Sequence, residues 1–115
     1  MHSRNLLLAS IATLALTGCV APAARHADRG LPISWTDYRC SDGQTVQAAY
    51  PDADTALIKV HGEAHTLHVA LSGSGARYTG DGWQWWTKGM HDGMLAPLAS
   101  GETIASSPSI DCQAR

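Results

Sequence analysis

The stretch TALIKVHGEAHTLHVAL, residues 55–71, decides the fold. Ala56, Ile58 and Val60 alternate with Thr55, Leu57 and Lys59. His61-Gly62 then interrupts, and beyond it Leu67, Val69 and Leu71 alternate with Thr66, His68 and Ala70. A period of two marks a strand with one buried face, and two such runs across a short glycine-containing turn read as a hairpin. The same pattern extends in both directions. WTDYRC (35–40) precedes the turn Ser41-Asp42-Gly43, and QTVQAAY (44–50) sets Val46, Ala48 and Tyr50 on one face before Pro51-Asp52-Ala53-Asp54. ARYTG (76–80) and WQWWTK (83–88) flank Gly80-Asp81-Gly82, and GMLAPL (93–98), the turn Ser100-Gly101, ETIA (102–105) and SIDC (109–112) complete the series. Short strands with turn signals at about 8- to 12-residue spacing predict an all-β fold, and no stretch carries a 3.6-residue period. The expected architecture is a small antiparallel β-barrel of about eight strands, preferred to a sandwich because closure removes exposed edges.

The N-terminus belongs to a different class. MHSRNLLLASIATLALTGC carries Arg4, an apolar run from Leu6 to Leu16, and Leu16-Thr17-Gly18 before Cys19. The run is too short to span a bilayer and reads as the apolar part of a secretory leader. Small residues directly before a cysteine resemble the bacterial lipobox, in which the cysteine is lipidated and becomes the new N-terminus. An ordinary cleaved leader is the competing reading. The expected organisation is a leader over 1–18, lipidated Cys19 and a flexible tether over 19–32, and a folded domain over 33–115. The resemblance to bacterial lipoproteins, with Val20 rather than aspartate after the cysteine, implies an outer-membrane anchor with the domain facing the periplasm. The sequence VAPAARHADRGLP (20–32) has no apolar period, and 13 such residues span roughly 20 Å as a coil and about 45 Å when extended.

Cysteine usage fits that compartment. With Cys19 taken by lipid, Cys40 and Cys112 remain as an even pair in an oxidising space. A bridge between them closes a 72-residue loop, 112 less 40, valued at about 4 kcal/mol by the chain-entropy model. Such a domain buries only about 60 to 65% of its unfolded surface and is marginal without a staple. Service as zinc ligands is the alternative, although neither cysteine stands in a Cys-x-x-Cys pair. Loss of Arg4 with the leader leaves 7 of the 8 basic residues against 10 acids, a net charge of −3. That balance argues against nucleic-acid binding and suits a basic partner.

Catalysis finds little support. The acids Asp42, Asp52, Asp54, Asp81 and Asp92 occupy turn positions, where aspartate serves the backbone. His61, His65 and His68 do not converge on one metal without distortion, because 65 and 68 face opposite sides of a strand. The expectation is a non-enzyme with no cofactor and no metal. In GDGWQWWTKG (80–89) an extended chain puts Trp83 and Trp85 on one face, in the core, and Gln84, Trp86 and Lys88 on the other. Trp86 is then either a stacking platform for sugar or a shield that holds Lys88 through its stem and a cation–π contact. Ser74 to Tyr78 precedes this run across a glycine-rich turn, so the Ser74 loop and the Lys88-Gly89 loop are expected to emerge side by side as a donor-rich tip that fits a cleft lined by carboxylates.

YRCSDGQTV, SGSGARYTGDG, WTKG and the terminal cysteine together resemble the membrane-bound inhibitors of C-type lysozyme, small lipoproteins of Gram-negative bacteria, over about Tyr38 to Cys112. The resemblance implies an eight-stranded antiparallel barrel in which Cys40 and Cys112 match the family's cysteines. It also implies a C-type lysozyme as partner. Ser74 and Lys88 would enter its active-site cleft and contact the two catalytic carboxylates, with Gly75, Tyr78 and Gly89 as supporting motif positions. The chain departs from the family after Lys88-Gly89, where MHDGMLAPL places Asp92-Gly93 and raises a question about the shape of this loop. A carbohydrate- or peptidoglycan-binding lipoprotein and a structural envelope lipoprotein are the competing functions, and a homodimer is left open.

Overall fold

The computed structural model describes Gly18 and residues 32–115; the expected leader apart from Gly18, the lipidation at Cys19 and the tether up to residue 31 lie outside the described residues. Eight strands follow one another: β1 (Thr36–Cys40), β2 (Thr45–Asp52), β3 (Thr55–Val60), β4 (Glu63–Ala70), β5 (Ala76–Gly80), β6 (Trp83–Lys88), β7 (Asp92–Pro97) and β8 (Ile110–Ala114). Each pairs antiparallel with the next, and β8 pairs with β1 to close the barrel. The expected hairpin at 55–71 is present, with Ile58 opposite His65 and Val60 opposite Glu63. His61-Gly62 and Asp81-Gly82 both adopt positive φ at both turn positions, the type I′ geometry whose twist suits a two-residue hairpin.

Every strand contributes inward-facing residues to one core. Tyr38, Val46, Ala48, Ala56, Ile58, Val60, Leu67, Tyr78, Trp85 and Leu95 form one buried cluster inside the barrel. Cys40 and Cys112 stand opposite one another across β1 and β8 and are joined by a disulfide. The bridge therefore fastens the first strand to the last at the seam, where an open sheet would otherwise present two edges.

Four local expectations are corrected. ETIA (102–105) is not a strand: it lies in the connection between β7 and β8, where Ala105 N–H donates to the Gln84 side chain and the Thr103 carbonyl accepts from Arg77. Side chains satisfy this backbone, so no ladder forms. Leu71 falls beyond β4 and is 92% exposed, and Val69 near its end is 46% exposed, so neither joins Leu67 in the core. The register of β2 against β3 shifts between Ala49 and Asp52; Ala49 is buried and Tyr50 stands at the rim, a bulge consistent with Pro51, which has no N–H for a ladder bond. Asp92-Gly93 is no turn. The β6–β7 turn is Gly89 to His91, and Lys88 pairs with Asp92 and Thr87 with Gly93 in the ladder.

Candidate functional site

The tryptophan run sorts as its alternation requires. Trp85 is fully buried, its ring edge-on to Tyr38 at 5.0 Å, and its indole N–H donates to the Tyr50 hydroxyl at 2.8 Å. Burial pushes the Tyr50 phenol well above its ordinary value, against the opposing pull of that hydrogen bond. Tyr78 is also raised, first by burial and then by the nearby charges of Asp52 and Asp54. Trp83 is partly buried against the same core. Trp86 lies on the outer face with Lys88, whose Nζ stands 5.8 Å from the centre of the Trp86 ring.

The outer face of β5 and β6 builds the tip. Ala76 pairs with Thr87 and Arg77 with Trp86, so the loop before β5 and the end of β6 come together. Gly75 makes the closest approach: a Cβ there would stand 2.1 Å from the Thr87 carbonyl oxygen and 3.3 Å from Lys88 Cγ, and its φ is +63°. Only glycine satisfies both conditions. The Ser74 carbonyl accepts from Trp86 Nε1 at 2.8 Å and from the Ser72 hydroxyl, and Ser74 N–H donates back to Ser72 Oγ at 3.3 Å. Ser74, Lys88 and Gly89 are exposed, while Tyr78 is buried. Among the described residues Lys88 has no carboxylate within ion-pair distance, although Asp92 is its cross-strand neighbour, and the Ser74 hydroxyl has no hydrogen-bond partner. The tip thus carries a free ammonium and a free hydroxyl at the rim of the barrel.

Beside it opens a cavity of about 430 Å³, lined by Tyr38, Tyr50, Gly75, Tyr78, Gly89 and Met90 among others. This is the barrel mouth, with an apolar floor and the Ser74 and Gly89 loops on its edge.

Other candidate groups do not converge. His65 Nδ1 lies 2.6 Å from the Asp81 carboxylate, across from the I′ turn, and its ring meets Trp83 edge-on. His61 and His68 are exposed and apart from that pair, and no metal-holding group of histidine, cysteine or carboxylate exists among the described residues. Sequence reasoning missed Arg77 and Gln84, both buried on the outer face and joined to one another at 3.3 Å. Their outward register does not reveal that burial, because the segment covering them comes from the β7–β8 connection.

Comparison with known proteins gives the same picture. The family model described as membrane-bound lysozyme-inhibitor of c-type lysozyme matches residues 38–103. A curated protein of Cupriavidus necator named membrane-bound lysozyme inhibitor of C-type lysozyme is 32% identical, with 100% of this chain and 99% of the relative covered. A crystal structure of Pseudomonas aeruginosa MliC in complex with hen egg white lysozyme is similar in fold, with a TM-score of 0.51, 26% identity, and coverage of 95% of this chain and 100% of that one. The eight-stranded closed barrel, the model matched over 38–103 and the end-to-end relative agree, and the chain belongs to the family of membrane-bound lysozyme inhibitors of C-type lysozyme.

Proposed function

We propose that this chain inhibits C-type lysozyme by seating the Ser74 and Lys88 tip in the enzyme's active-site cleft, and that lipid on Cys19 holds it at the outer membrane, where the periplasmic domain protects peptidoglycan. The observation that supports the proposal is the close seat of Gly75 on Thr87 and Lys88, beside an exposed ammonium with no ion-pair partner among the described residues. Gly75, Gly89 and Tyr78 support that tip from the loops and the floor. The structure of a relative in complex with hen egg white lysozyme supports the choice of partner.

The chemistry follows from what a muramidase needs. A retaining enzyme keeps one carboxyl protonated and one ionised, about 5 to 5.5 Å apart. An ammonium between them pairs with the charge, draws the acid toward its ionised form and occupies the place of substrate. Such a charge-assisted contact, desolvated in a cleft, costs roughly 2 to 5 kcal/mol when one partner is truncated. The Ser74 hydroxyl both donates and accepts, so it can serve either carboxyl state. Trp86 is placed poorly for a sugar platform, since its N–H is spent on the Ser74 carbonyl and Lys88 stands over its ring.

The chain without its leader should co-elute with a C-type lysozyme on gel filtration at micromolar concentration and suppress its activity. Separate elution with full activity would reject the proposal. Retention on insoluble peptidoglycan without lysozyme would favour a carbohydrate-binding lipoprotein instead.

A further inference from the structure

Residues 71–75 present the tip, yet they bury nothing apolar. Leu71 is 92% exposed, and the rest of the loop is serine and glycine. The β7–β8 connection beside it has the same difficulty, with Ile104 61% exposed. Apolar burial contributes little at Leu71 or Ile104. One guanidinium bridges the two segments. Arg77 Nε and Nη2 donate to the Leu71 carbonyl at 3.0 and 2.7 Å, and Nη1 donates to the Thr103 carbonyl at 2.8 Å and to Gln84 Oε1 at 3.3 Å. Gln84 Oε1 in turn accepts from Ala105 N–H at 3.1 Å.

Arg77 is 5% exposed and has no carboxylate partner among the described residues. Burying a charge against neutral oxygens alone forfeits the Coulombic return of an ion pair. The side chain's contribution is instead geometric: its planar fork takes one carbonyl with two donors and reaches a second segment with a third. Lysine, a point charge on a flexible stem, has no equivalent fork.

We propose that Arg77 is the positioning residue of the inhibitory tip: by clamping the Leu71 and Thr103 carbonyls it fixes the Ser72 to Gly75 loop against Trp86, in the form that presents Ser74. This rests on the lysozyme reading for its functional consequence and on the clamp alone for its structural one.

The test uses Arg77→Lys and Arg77→Met in the full chain without its leader. The indole N–H signal of Trp86, bonded to the Ser74 carbonyl, reports the loop in a proton–nitrogen correlation spectrum, and that of Trp85, bonded to Tyr50, reports the core. In a folded variant the Trp85 signal should stay and the Trp86 signal should move toward its solvent-exposed position. The inhibition constant should rise by about tenfold, and in a Ser74→Ala background the added loss should shrink below about threefold, since the two changes act on one loop. If Arg77→Met does not fold, Arg77→Lys alone decides. A Trp86 signal unmoved in a folded variant overturns the positioning role, as does a loss undiminished in the Ser74→Ala background. A wild-type chain that fails to inhibit lysozyme sinks the proposed function, and the Trp86 signal then decides the clamp by itself.

Discussion

Trp85 fills the barrel because Gly93 leaves room for it. A Cβ on Gly93 would stand 2.3 Å from Trp85 Cη2, so Gly93→Ala should cost about 1 to 3 kcal/mol through overpacking, read as a lowered denaturant midpoint. The feature that looked like a turn in the sequence, Asp92-Gly93, is therefore a packing solution within β7. Nothing in the local sequence distinguishes those uses of Asp-Gly, since the deciding neighbour is a ring on another strand. Tyr50 is a second such residue. Tyr50→Phe leaves the buried Trp85 N–H without its acceptor and should cost about 1 to 3 kcal/mol. The tyrosines also set an alkaline limit. Tyr50 and Tyr78 both titrate above the ordinary phenol value of 10.0 when folded. Their contribution is thus complete below 10.0 and is lost as pH rises toward the folded values, because the unfolded chain releases those protons first. Chemical denaturation should show stability falling above that pH, with less slope in Tyr50→Phe, while tyrosinate absorbance of the folded protein should lag behind that of the unfolded chain.

At the scale of elements, strands whose alternation runs between turn signals were legible, and so was the hairpin at 55–71. The β7–β8 connection was not, because ETIA has the composition of a strand while its backbone is claimed by Arg77 and Gln84. Gln84→Leu removes the acceptor of Ala105 N–H and should speed hydrogen exchange at that amide, with exchange in β3 and β4 unchanged. Glu102 folds the same connection by accepting from the Ser106 hydroxyl and from Ala99 N–H, which together hold its carboxyl below the ordinary value. A depressed folded value means that this support is present above the unfolded value of 4.5 and is lost as pH falls through the folded one. Exchange in residues 99–106 should accordingly quicken on acidification, and Glu102→Gln should abolish the dependence. The approach of the loop before β5 to the end of β6 was legible for a simpler reason: β5 and β6 are adjacent in sequence and joined by Asp81-Gly82, so their far ends must meet.

For the whole molecule, closure was legible from two cysteines at the ends of an alternating series. The Cys40–Cys112 bridge spans a sequence separation of 72 residues at the β1–β8 seam, and reduction, or Cys40→Ser with Cys112→Ser, should cost about 2 to 5 kcal/mol. What the sequence could not display was the outer layer, where Arg77 gathers two segments distant along the chain. Charge acts at this scale as well. Taken without residues 1–18, a chain of net −3 should associate faster with a basic lysozyme at low salt, and the rate should fall as ionic strength rises. The most direct test of the account is the inhibition constant of Lys88→Ala against a C-type lysozyme. An increase of more than about tenfold with the thermal midpoint unchanged is the predicted result, since Lys88 is exposed and unpaired within its own barrel. Inhibition equal to that of the wild type would contradict it.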